Sequence, residues 1–178
     1  MKPKIIGVTG LKRAGKDTIA DYLYYRYNYQ KRHFATPIKS MISALLRHIE
    51  IENPTLYMDD QKEINLPVLN VSYRKLAQTL GTEWGRGLID NDIWINIAKH
   101  HCKNNNFVCF AGVRFDNEAK LIADLGGIII KINHGSNEYL MDIHPSELGI
   151  SDKYINYTIS NIGTIRDIHN KVDEILCI

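Results

Sequence analysis

Strands alternating with helices predict an α/β protein of three layers, with a mostly parallel sheet of about five strands in the middle. Three observations carry this reading. A short apolar run, Ile5-Ile6-Gly7-Val8, leads into a glycine-spaced turn and then into the helix-period residues Ile19, Ala20, Leu23 and Tyr27. The run at 107–113 is apolar throughout and that at 127–132 is apolar but for Lys131, as strands covered on both faces are. Helix-period stretches lie between these runs and after them, which supplies the crossovers that parallel strands need.

In order, residues 4–9 read as a buried strand and 15–31 as its helix. The tyrosines at 22, 24, 25, 27 and 29 cannot all face the core, so most edge it or meet solvent. His33-Phe34-Ala35 suits a very short second strand. Thr36 then serves as N-cap, with Pro37 in the first turn, of a helix whose apolar face runs Ile38, Met41, Ile42, Leu45 and Ile49. Residues 50–70 lose periodicity and carry Pro54 and Pro67, the pattern of a flap or a substrate-side insertion. Helical period returns from Ser72 through Tyr73, Leu76, Ala77, Leu80 and Trp84, until Gly81, Gly85 and Gly87 break it up. Asp90 or Asp92 opens a further helix with Ile93, Trp94, Ile97 and Ala98 inward and His100-His101 toward solvent. After the 107–113 strand, Asp116 caps a helix through Ala119, Ile122 and Ala123 that stops at Gly126-Gly127. A polar stretch, 133–153, precedes a last strand at 154–159 and a closing helix from Thr164.

At 178 residues the chain is read as one domain able to bury a core. A net charge of +2 without blocks of like charge gives no reason to expect nucleic-acid binding, and no apolar run approaches membrane-spanning length. Cys102, Cys109 and Cys177 have neither metal-site nor disulfide-framework spacing, which suits a reducing cytosol. Met1-Lys-Pro-Lys runs straight into a strand without a signal-peptide pattern. A cytoplasmic location is expected, in the host if the protein is viral.

The function lies in Gly10-Leu11-Lys12-Arg13-Ala14-Gly15-Lys16-Asp17-Thr18, which fits the phosphate-loop spacing G-x-x-x-x-G-K between a strand and a helix. Glycines let successive backbone N–H groups curl around a phosphate. The helix N-terminus adds partial positive charge, and Lys16 adds a full one. Asp17 stands where Ser or Thr normally reaches magnesium, with Thr18 next. Its carboxylate either ligates the ion, directly or through water, or only favours the helix N-terminus electrostatically.

Ligands of such sheets bind beyond the carboxyl ends of the strands, which adds Arg114 and the segment after Ile132 to the loop. Arg114 can fork onto a phosphate. Asp116 and Glu118 either hold magnesium or a sugar hydroxyl, or act only as cap and helix-dipole carboxylate.

These pieces together resemble the deoxynucleoside monophosphate kinases of bacteriophages and their relatives. The likeness runs in order through GLKRAGKDTIADYL at 10–23, HFATPIK at 33–39, RKLAQTLGTEWGR at 74–86 and DNDIW at 90–94. It continues through VRFDNEA at 113–119, GG at 126–127, HPSE at 144–147 and NIGT at 161–164. The resemblance implies a P-loop NTPase fold of the nucleoside monophosphate kinase kind. It implies transfer of the γ-phosphoryl of ATP, with Mg2+, to a deoxynucleoside 5′-monophosphate. Lys16 would hold the β- and γ-phosphates, and Arg13 would neutralise transferring charge. Lys39, Arg74, Arg86 and Arg114 would line the acceptor side, with Glu83 and Trp84 near base or sugar. Small nucleotides are the expected partners, and members of the family can be homodimers.

Two departures from the family pattern stand out. Gly112 occupies a position where relatives often have a magnesium-facing Asp, which shifts that duty to Asp17 or Asp116. The candidate lid, 134–153, contains no arginine, which leaves the lid's work to Arg13. His144 and Glu147 order that lid or touch nucleotide, since no strained nucleophile turn makes them part of a triad. Two other functions compete: a kinase for another small acceptor, such as phosphomevalonate or dephospho-coenzyme A, and a nucleotide-binding switch with little transfer activity.

Overall fold

The structure is a computed structural model that describes residues 2–51, 53–59, 61–103, 107–134 and 149–177, with residues 59 and 134 described in backbone only. In chain order the elements are β1 (Ile5–Thr9), α1 (Lys16–Tyr27), β2 (Gln30–Arg32), α2 (Thr36–His48), α3 (Pro54–Asp59) and α4 (Tyr73–Gln78). A π-helical segment (Thr79–Ile89), α5 (Ile93–Cys102), β3 (Val108–Ala111), α6 (Asp116–Asp124) and β4 (Ile128–His134) follow. A 3-10 turn (Asp152–Tyr154), β5 (Tyr157–Asn161) and α7 (Ile165–Leu176) complete the described chain. By packing, the chain divides into two compact units: Met1–Phe34 with Ile95–Ile178, and Ala35–Trp94. No helix among the described residues is long and apolar enough to cross a membrane.

In the first unit the five strands form one parallel sheet in the order β2-β3-β1-β4-β5. Because strand side chains alternate, each strand feeds two cores. Ile6, Val8, Cys109, Ala111, Ile130, Ile132 and Ile159 pack with Ile19, Ala20 and Leu23 of α1 and Ile168, Val172 and Leu176 of α7. Ile5, Val108, Phe110 and Ile129 pack on the other face with Ile95 and Ala98 of α5 and Ala119, Leu121 and Ile122 of α6. This is the three-layer α/β arrangement the sequence predicts. Each buried Ile or Leu contributes about 1.5–3 kcal/mol, so the two apolar faces hold the strand ends in fixed register.

Several boundaries differ from the sequence reading. The first helix stops at Tyr27 rather than 31, because Asn28 turns left-handed (φ 59°). The N–H groups of Asn28 and Tyr29 then bond back to Tyr24 O and Leu23 O, a hydrogen-bonded helix stop of the kind Asn favours. The second strand therefore falls on Gln30–Arg32, ahead of 33–35. Of the five tyrosines, Tyr29 is fully buried, while Tyr24 and Tyr25 are exposed. The hydroxyls of Tyr22 and Tyr27 both donate to Asp173 of α7. Asp116 is the first residue of α6 and not its cap, which is Phe115. The last strand begins at Tyr157, after Asn156 has exchanged hydrogen bonds with the backbone of Ile129. Thr164 does cap α7, its hydroxyl accepting from Asp167 N–H.

In the second unit, Ala35 rather than Thr36 is the N-cap of α2, with Pro37 in the first turn. The buried face of α2 is Ile38, Ile42 and Leu46, leaving Met41 and Leu45 exposed. Within 50–70 the chain forms α3 and an isolated bridge between Asn65 and Ser72. Ser72 caps α4 by accepting from Lys75 N–H. The glycines that follow do not break the helix: it widens into the π-helical segment. Gly81 faces Ile38 and Gly85 faces the Trp94 ring, where an added Cβ would lie 2.8 and 2.4 Å from side-chain atoms. The Trp94 indole N–H donates to Gly81 O at 2.8 Å.

Candidate active site

The 10–15 loop joins the carboxyl end of β1 to the N-terminus of α1 and needs its glycines for two reasons. Gly10 has φ +146°, and a Cβ there would lie 2.2 Å from the carbonyl oxygen of Ile132. Gly15 has φ +105° and is the N-cap of α1 without a side-chain cap. Arg13 also lies in the left-handed region, at φ 63°. Ala14 is fully buried, and its N–H donates to Leu11 O at 3.2 Å. The first-turn N–H groups of a helix have no intrahelical acceptor, so α1 presents a donor-rich, positive end beside this turn. The Lys16 ammonium folds back over the loop, donating to Gly10 O at 2.9 Å and Leu11 O at 2.6 Å. Such a cradle suits a phosphate chain.

Asp17 pairs with Lys31 of β2 at 2.8 Å, and Lys31 also meets Asp21 at 2.8 Å. Partial burial raises the Asp17 pKa, but the Lys31 hydrogen bond and charge, with His33 and Lys16, bring it below the ordinary value. Lys31 moves up: burial opposes its charge, but its bonds to the two carboxylates outweigh that. Asp17 is thus firmly ionised beside the loop.

The end of β3 is tied to β1, since Thr9 Oγ1 donates to Val113 O at 2.8 Å and the N–H groups of Gly112 and Val113 donate to Val8 O. A Cβ on Gly112 would come within 4.0 Å of Lys16 Cε, so the strand end that carries Arg114 adjoins the loop lysine. Glu118 is 3 % exposed and accepts from the N–H groups of Arg114, at 2.8 Å, and Phe115. It fixes the turn on which Arg114 sits. Asp116 accepts from the Ser151 N–H and hydroxyl, and these bonds hold its pKa below the usual carboxylate range.

The first unit therefore brings together the glycine loop, Lys16, Asp17, Thr18 and the Arg114 turn. Lys39, Arg74, Glu83, Trp84 and Arg86 belong to the second unit. There Lys39 lies half-buried on α2, and Glu83 and Trp84 are exposed on the π-helical segment. Arg74 is ion-paired with Glu63, and Arg86 donates to Asn91 O at 3.1 Å. Among the described residues no cluster of three His, Cys, Asp or Glu side chains forms a metal cage. Most of the candidate lid, including His144 and Glu147, lies outside the described residues.

Sequence reasoning did not single out Lys31, Ser151 or Asn161. The Asn161 side chain, at the end of β5, donates to Ala14 O at 2.9 Å. Each of these residues acts on a partner distant in sequence, which no local pattern reveals. The NIGT stretch contains Asn161 without indicating what it touches.

Known proteins resemble this chain in sequence and in fold. The model of a family described as deoxynucleotide monophosphate kinase matches residues 4–66 and 57–172. A protein of Acanthamoeba polyphaga mimivirus named for that activity is 31% identical, over 94% of this chain and 93% of its own length. The deoxynucleoside-5'-monophosphate kinase of Escherichia phage T5 is 31% identical over 61% of this chain and 47% of its own. Among solved structures, TT1252 from Thermus thermophilus gives a TM-score of 0.50 at 15% identity, over 99% of this chain and 98% of that one, a likeness of fold.

Proposed function

The chain belongs to the deoxynucleotide monophosphate kinase family, and from that premise we propose which of its residues carry the reaction. The enzyme phosphorylates a deoxynucleoside 5′-monophosphate at the expense of ATP. An oxygen of the acceptor phosphate attacks the γ-phosphorus and ADP leaves, so alignment and charge neutralisation are required and a protein nucleophile is not. The 10–18 loop holds the triphosphate, with Lys16 leaving its loop carbonyls for the β- and γ-oxygens. Arg13 neutralises charge on the group in transfer, and Arg114 anchors phosphate from the end of β3. Lys39, Arg74, Glu83, Trp84 and Arg86 recognise the acceptor. Glu118, turned onto the backbone of its own loop, serves the acceptor by positioning Arg114.

Magnesium fits this donor set as a cation that brings most of its ligands with the nucleotide. Asp17 is ionised and its side chain is 70% exposed next to Lys16, which favours it as the facing carboxylate, with the Thr18 hydroxyl beside it. Asp116, committed to Ser151, is the weaker candidate. When bound, the ion would supply charge neutralisation at the phosphates.

The observation that carries the reading is the lysine-covered glycine loop joined to the Arg114 turn. ADP release measured against each common deoxynucleoside and ribonucleoside monophosphate tests it. Turnover with at least one deoxynucleoside monophosphate is expected. Turnover only with dephospho-coenzyme A or phosphomevalonate, or nucleotide binding without any transfer, would overturn it.

A further inference from the structure

We propose that Asn161 is a positioning residue for ATP, setting the orientation of a loop peptide from the end of β5; the proposal rests on the donor-site reading of the glycine loop. Asn161 is half-buried and paired in register with His134 of β4, so the sheet itself fixes its Cα. Its side-chain amide reaches across 147 positions of sequence to donate to Ala14 O at 2.9 Å. A trans peptide is planar, with its carbonyl and the following N–H on opposite sides, and the described chain has no cis bond. Drawing the Ala14 carbonyl toward β5 therefore holds the Gly15 N–H on the opposite side of the peptide, facing away from β5.

The surroundings support a role specific to this peptide. Ala14 is fully buried, so its carbonyl, the acceptor end of the 14–15 peptide, needs a donor within the protein, and Asn161 supplies one. Asn161 reaches it by passing over Gly15, where an added Cβ would lie 3.1 Å from Asn161 Nδ2 and 3.1 Å from Ile132 Cδ1. Gly15 at φ +105° sits in a region where glycine has more than one accessible backbone state. Without the Asn161 bond the 14–15 peptide is free to rotate, and nucleotide binding then has to order it, which weakens affinity.

Asn161→Asp keeps the shape and removes the donor, and Asn161→Gln keeps the amide. Titrating the full chain with ADP, without acceptor, reads the donor site directly; steady-state kinetics then separates the KM values of ATP and of the monophosphate. Asn161→Asp is expected to weaken ADP binding about tenfold or more, since a buried carbonyl loses its partner and meets a like charge. The KM of the monophosphate should stay within about twofold, and Asn161→Gln should recover part of the ADP affinity. A wild-type protein that binds no adenine nucleotide removes the donor-site reading and the proposal with it. A wild type that binds while Asn161→Asp binds equally well removes the proposal alone. A lowered melting temperature with unchanged ADP affinity does the same.

Discussion

The 10–18 loop and the 79–89 segment are both rich in glycine, but they use it for opposite purposes. In the loop, Gly10 and Gly15 have positive φ, and the residue is needed for the backbone conformation. In the π-helical segment Gly81, Gly85 and Gly87 have no positive φ. Gly81 and Gly85 are needed there for the missing side chain, which lets Ile38 and Trp94 approach. The same residue marks a phosphate turn in one place and a packed helix in the other. Only the spacing to Lys16 and the flanking strand distinguishes them in sequence.

The largest expected effect lies in the loop. Lys16→Ala should lower turnover by on the order of 10²–10³-fold with an unchanged circular dichroism spectrum. Substantial activity in that variant would remove the loop from the chemistry. The pair Gly10→Ala and Gly85→Ala sharpens the contrast. Both tryptophans, Trp84 and Trp94, lie in the second unit, so their fluorescence reports on it. Gly10→Ala should cost most of the activity even well below its fluorescence-monitored denaturation midpoint, because the turn of the loop cannot take the added Cβ. Gly85→Ala should destabilise by roughly 1–3 kcal/mol through overpacking against the Trp94 ring and shift that midpoint. The reverse pattern would break the comparison.

Arg13→Ala should come next, lowering kcat about 10–10²-fold with a smaller change in ATP affinity, because the contact proposed for it would strengthen as charge develops. Equal losses in both would make Arg13 a binding residue only. Asp17→Asn should raise the magnesium concentration needed for half-maximal rate; an unchanged titration would leave Asp17 as the partner of Lys31 alone.

The last effect, a pH dependence in the loop-bearing unit, appears only in alkali. The Asp173 hydrogen bond, with burial, raises Tyr27 from 10.0 to about 12, and burial raises Tyr29 from 10.0 to about 12 and the Cys109 thiol from 9.0 to about 12. Below pH 9 these groups are protonated in folded and unfolded chains alike, and their stabilisation is fully present. It is lost as pH rises toward 12, where the unfolded chain ionises first. Melting temperatures between pH 8 and 12 should fall accordingly, and less steeply in Tyr27→Phe.

Local chemistry was the legible part of this protein. The runs around Val8, Phe110 and Ile130 announce buried strands because both faces of each strand are covered, and the loop announces itself because a phosphate turn has fixed spacing. The first helix ends before the sequence reading has it because the stop depends on one left-handed residue, Asn28, which no apolar period marks. Propensity counts glycine against a helix, so the sequence reads the 79–89 segment as broken, whereas Ile38 packs where Gly81 has no side chain and Trp94 where Gly85 has none. At the site, Lys16 and Arg114 stood out from their places beside strands. Asn161, Ser151 and Lys31 did not, since their partners Ala14, Asp116 and Asp17 come next to them only when the sheet has formed.

The second unit enters the chain between β2 and the rest of α5, at Ala35–Trp94. In polymer terms it is a long excursion inside the segment that must close before β2 and β3 can pair. Closure entropy grows only with the logarithm of that length, about 0.6 kcal/mol per doubling. The sheet is therefore nearly indifferent to how much chain the excursion contains. Insertions and deletions within 35–94 can accumulate over evolutionary time at little thermodynamic cost to the scaffold that carries the loop, so the part assigned to choosing the acceptor is also the part most open to change.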